Sequence, residues 1–67
     1  MEIHDALKTA VSALREQKLM YREHYRLTAS RVDDQWVFWF VFIPETPGMD
    51  VTAIVDDDGN VRTQVGF

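Results

Sequence analysis

The sequence predicts an α+β fold, with one N-terminal helix packed on a four-stranded antiparallel β-meander. Three observations predict it. Apolar residues recur at helical spacing over residues 3–16. From His24 onward the apolar period falls to two. Clusters of Asp, Gly, Pro and Asn then cut the second half into short strands.

The helix is the first element. Ile3, Leu7, Ala10, Val11 and Leu14 share one face, while Glu2, Asp5, Lys8, Ser12 and Arg15 lie mainly on the other. Acids stand at its start and Arg15 and Lys18 at its end, as the helix dipole favours. No Gly or Pro follows, so the helix is expected to run on as far as about Tyr21.

The first strand is expected over residues 24–32, where Tyr25, Leu27 and Ala29 alternate with Arg26, Thr28 and Ser30. Asp33-Asp34 makes a tight turn into the second strand, 35–43, which is filled with aromatic and β-branched residues. Pro44-Glu45-Thr46-Pro47-Gly48 is a loop, because its prolines and glycine cannot continue a central strand. The third strand covers 50–56. Asp57-Asp58-Gly59-Asn60 is a hairpin turn, since Asp-Gly and Gly-Asn supply the positive φ such turns need. The fourth strand covers 61–65. No linker, repeat or low-complexity segment interrupts the chain, which reads as one domain over residues 1–67.

A chain of this length buries only about 60% of the surface its unfolded form exposes, so small domains lean on disulfides, metals or association. With no Cys, disulfides are excluded, and with two His residues a zinc site nearly so. Self-association or an unusually apolar core remains. The composition supports a rich core: 46% hydrophobic residues, with two Trp, two Tyr and four Phe. The absence of Cys suits a reducing compartment. The N-terminal residues lack the basic and apolar regions of an export signal. The longest apolar run, Trp36 to Ile43, is far short of a membrane span. Together these predict a cytoplasmic protein with no membrane partner.

Net charge is −4, unevenly spread. Residues 1–32 hold six Lys/Arg against four Asp/Glu, and residues 33–67 one Arg against seven acids. An acidic domain repels phosphates, so no nucleic-acid partner is expected. The series Arg15, Lys18, Arg22, Arg26 and Arg31 reads as a solvated helix face and strand edge.

The second strand is the most informative segment, because it is apolar on both faces. Trp36, Phe38, Phe40 and Phe42 point one way and Val37, Trp39, Val41 and Ile43 the other. A single helix covers one face only. Val51, Ala53 and Val55 of the third strand extend one continuously apolar face, the expected helix side. The other face has an apolar centre of Trp39, Val41, Ile43 and Ile54 with a polar surround, which is the anatomy of an association surface. The opposite register would exchange the roles and put Trp36 and Phe38 on that surface.

No catalytic constellation is present. His4, His24, Asp5 and Glu23 are the only acid–base material and Ser12 and Ser30 the only serines, with no nucleophile at a recognisable spacing from a base. Asp56-Asp57-Asp58-Gly59 has part of a calcium-loop pattern, but counting from Gly59 puts Ile54 first and Val65 twelfth, where ligands are required. Gly48 and Gly59 stand alone, without a phosphate cradle. No metal or cofactor is expected.

The stretch from Trp36 to Val61 resembles the second half of a PepSY-type domain, in which an aromatic strand leads to a strand ending in Val-Asp, a turn, Gly, one residue and Val. Here that piece is Val55-Asp56-Asp57-Asp58-Gly59-Asn60-Val61. The wider topology is similar to cystatin-like folds, where a meander wraps one helix. The resemblance implies a binding or inhibitory module rather than an enzyme, and no functional residue is carried over from it.

The expected function is therefore a small non-catalytic interaction module, either homodimeric through its sheet face or an inhibitor-like adaptor docking on another protein. The alternative is a carrier of a small apolar ligand held between helix and sheet. The charge split between the two halves would orient a pair.

Overall fold

The structure is a computed structural model that describes residues 1–66. Helix α1 spans Ile3–Glu16 and is followed by strands β1 (Tyr25–Val32), β2 (Gln35–Phe42), β3 (Val51–Asp56) and β4 (Val61–Val65). The strands form one antiparallel sheet in the order β1-β2-β3-β4, with α1 packed on β2, β3 and β4. This is the α+β meander that the hydrophobic periods predict.

The inner layer follows from the spacing of small and large residues. Ala6, Ala10 and Leu14 fall on one stripe of α1 and are fully buried. Two alanines let the helix backbone approach the sheet closely. Opposite them stand Phe38, Phe40, Phe42, Val51, Ala53 and Val55, each at most 1% exposed, in a single cluster. Burying one phenyl ring contributes about 2 kcal/mol, so the three Phe residues of β2 are the largest apolar term. Tyr25 and Tyr21 close the open end, with ring centroids 5.2 Å from Phe40 and 5.4 Å from Phe42 respectively. Edge-to-face and tilted arrangements of this kind suit the ring quadrupoles.

The pairing register settles the question that the doubly apolar strand leaves open. Phe38 pairs with Ala29 and Ala53, and Phe40 with Leu27 and Val51, all on the helix side. Trp36 belongs to that side too, stacked on Phe38 at 6.2 Å with its indole N–H donating to the Met1 carbonyl at 2.9 Å. Trp36 and Phe38 are thus removed from the outer surface. Small neighbours decide this: Ala53 leaves space beneath the helix for a phenyl ring and the exposed Ala29 stands on its other side, whereas Thr28 and Thr52 flank Trp39.

The helix stops at Glu16 rather than continuing toward Tyr21. Lys18 takes φ +59°, the Leu19 N–H donates to the Leu14 carbonyl at 2.8 Å, and the Lys18 N–H donates to the Arg15 carbonyl at 3.2 Å. This pair of bonds is a Schellman cap, with Leu19 folding back onto the core beside Leu14. A lysine occupies the left-handed position that glycine usually fills, so the stop signal is absent from the sequence pattern.

The turns behave as their residues require. Val32 pairs with Gln35 across Asp33-Asp34, where Asp33 adopts φ +54°. In the β3–β4 turn Gly59 takes φ +85°, and Asp56 Oδ1 accepts from the N–H groups of Asp58 (3.0 Å) and Asn60 (2.9 Å). No helix among the described residues is long and apolar enough to cross a membrane.

Candidate functional site: the outer face of the sheet

The outer face carries every second residue of the four strands. One cross-strand row reads Thr28, Trp39, Thr52, Gln64; the next reads Ser30, Val37, Ile54, Arg62. Val41 lies opposite Arg26, and Val32 opposite Gln35. An apolar stripe therefore follows β2 and spreads to Ile54, with hydroxyl, amide and charged groups around it. Trp39 is 36% exposed and Val32 50%, and no second helix lies over them among the described residues. Of the expected surface residues, Trp39, Val41 and Ile54 are together on this face; Ile43 is exposed just past the end of β2, beside Arg22, Glu23 and His24; Phe38 is buried beneath α1, and Trp36 is half-buried on the helix side.

At one end of the stripe the β2–β3 connection builds a groove of about 430 Å³, lined by Arg26, Trp39, Val41, Phe42, Glu45, Thr46, Pro47, Met49 and Asp50. The connection follows a cis Ile43–Pro44 bond, and Arg22 donates to the Pro44 carbonyl at 2.8 Å. The Met49 N–H donates to the Thr46 carbonyl at 3.1 Å, and the Gly66 N–H to the Asp50 carbonyl at 2.8 Å. These bonds fix the two acidic walls. The Trp39 indole N–H donates to Asp50 Oδ2 at 2.9 Å, and Arg26 pairs with Glu45 at 2.9 Å. The groove thus has an apolar floor and one more carboxylate than cations along its rim. The sequence marks Trp39 and Val41 but not this groove, because it depends on a loop whose path the alternation of residues does not encode.

A second polar cluster sits at the other end of the sheet. Asp57 accepts from Arg31 at 3.2 Å and from the N-terminal ammonium at 3.2 Å, and Arg31 lies 5.2 Å from the Trp36 ring centroid. The ammonium and then Arg31 hold the Asp57 carboxyl below the usual carboxylate range. Asp56 is lowered as well, first by the Asn60 backbone N–H, with burial opposing. Asp56 and Asp57 are therefore committed to internal partners.

The remaining chemical candidates do not converge. His4 and Ser12 are exposed on α1, Ser30 is exposed on β1, and Glu23 and His24 are exposed just before it. Among the described residues no three His, Cys, Asp or Glu side chains are placed to hold a metal ion. The layer between helix and sheet is filled by side chains at 0–1% exposure. No family model, curated protein or solved structure matches the chain.

Proposed function

We propose that this chain is a small, non-catalytic protein-interaction module that pairs with a second copy through the outer face of its sheet. The observation that carries the reading is the exposed apolar stripe of β2 on a face without helical cover. A contiguous apolar centre with a polar rim favours a protein surface over water. The domain is also small enough that association adds materially to its stability.

Size sets the scale of the contact. A standard interface buries about 800 Å² per partner, roughly a sixth of the 4554 Å² that this chain exposes. In a two-layer domain this means most of one face, and the outer sheet face is the one available. Stacked sheets lie about 10 Å apart with interdigitating side chains, a spacing that suits Val37, Trp39 and Ile54. The resemblance to PepSY-type and cystatin-like modules favours binding over catalysis in the same way, and the absence of Cys suits a cytoplasmic setting.

The carrier reading has less support, since a ligand between helix and sheet would displace packed side chains. The test is molar mass by light scattering over a dilution series. A dimer is expected, and Trp39→Asp is expected to convert it to a folded monomer. A wild-type chain that stays monomeric at every concentration overturns self-pairing and turns the search to a different protein partner.

A further inference from the structure

The outer face carries opposite charges at separated places. The groove beside Trp39 has Asp50 and Glu45 against Arg26 alone, an excess of one negative charge. Across the sheet on β4, Arg62 is exposed, stands beside Ile54 on the same face, and has no ion-pair partner among the described residues. In an isologous interface, a two-fold axis that passes midway between two unlike patches of one face brings them together twice, each copy giving what the other receives. The groove also suits arginine: the Asp50 carboxylate, held at its edge by the Trp39 indole N–H at 2.9 Å, can take hydrogen bonds from a guanidinium.

Building on the self-pairing reading above, we propose that the groove is a receptor site for arginine and that its occupant is Arg62 of a second copy. The guanidinium would enter the groove and bond Asp50, while the apolar stripes of the two copies meet beside the paired sites. The site is complete only in the dimer. The arrangement gives the interface its orientation, because a dimer turned the other way would set Arg62 against Arg62. It also makes association sensitive to salt, because the paired charges sit at a partly open rim.

A charge-swap series measured by sedimentation equilibrium tests this. Arg62→Glu is expected to raise the dimer dissociation constant by about tenfold or more, since each contact is lost twice. Asp50→Arg is expected to do the same, and combining the two is expected to restore most of the wild-type affinity. Arg62→Ala, at an exposed position, serves as a milder variant, and thermal melts confirm that each protein is folded. A wild-type dimer that Trp39→Asp dissociates but all three charge variants leave unchanged would overturn the arginine site and leave face-to-face pairing intact. A monomeric wild-type chain would overturn both. Weakening in each single variant without recovery in the double would also overturn the Arg62–Asp50 pairing.

Discussion

On the inner side of β2, Phe38, Phe40 and Phe42 are at most 1% exposed. On the outer side of the same strand, Val37 and Val41 keep part of their surface in solvent and Trp39 keeps 36%. The two sets are interleaved residue by residue and are equally apolar. Their different surroundings come from what lies across the ladder and above it. Alanines and a helix stand over one set, threonines, Arg26 and an acidic loop beside the other. Hydrophobicity alone thus does not assign a residue to a core; the volume left by its neighbours does. Trp39 and the two valines stay in contact with solvent although they are as apolar as the buried set.

The largest effect is expected on the inner side. Phe40→Ala should cost about 3–5 kcal/mol, enough in so small a domain to abolish the cooperative urea transition. A protein that still unfolds cooperatively near the wild-type midpoint would erase the distinction between the two faces. Trp39→Asp should leave the far-UV circular dichroism and the folded state in place while removing the proposed self-pairing, so its effect appears in molar mass. Equal losses of stability from both substitutions would mean that the outer face is core after all.

Smaller effects sharpen the same comparison by acting away from both faces. Lys18 holds a left-handed conformation at the helix cap, so Lys18→Gly should raise stability by about 1 kcal/mol and leave the molar mass in solution as it is in the wild type. A thermal melt that moves downward would show that the cap geometry is not limiting.

The smallest effect is expected from acid. Asp56 and Asp57 have folded-state pKa values below their ordinary ones. Their contribution is complete above the usual carboxylate range and is lost as pH falls through the lowered values. Urea midpoints should therefore drop at acid pH, and the deficit of Asp56→Asn at about pH 7 should shrink toward about pH 2. A deficit of constant size would assign the effect to the loss of geometry rather than charge.

The sequence made most of the architecture legible through periodicity. The helical stripe of Ala10 and Leu14, the alternation in β3 and the Asp-Gly-Asn turn each encode local structure through side chains that neighbours in the chain can read. The unread parts share one cause: they rest on contacts or backbone states without a residue signature. The helix end depends on Lys18 adopting positive φ. The inner side of β2 depends on which residues of β1 and β3 are small enough to admit Phe38. The groove depends on Arg22, Gly66 and Trp39 reaching a loop from three places distant in sequence. Strand ends differ from expectation by one residue, as at Ile43 and Asp50, where pairing gives way to the loop.

The meander has a kinetic consequence. Every strand lies beside its predecessor in the chain, so no pairing within the sheet must close a long loop. The β1–β2 hairpin, with its two-residue turn, belongs to a class that forms in about 1–10 μs. The helix is the first segment of the chain, yet its stripe of Ala6, Ala10 and Leu14 finds a complete counterpart only when β3 has joined β2. The topology thus places helix docking late and sheet growth early. Substitutions around Asp33-Asp34 should slow folding, whereas Leu14→Ala should mainly speed unfolding. The strand that carries both the core and the proposed contact surface is then among the first parts of the molecule to take shape.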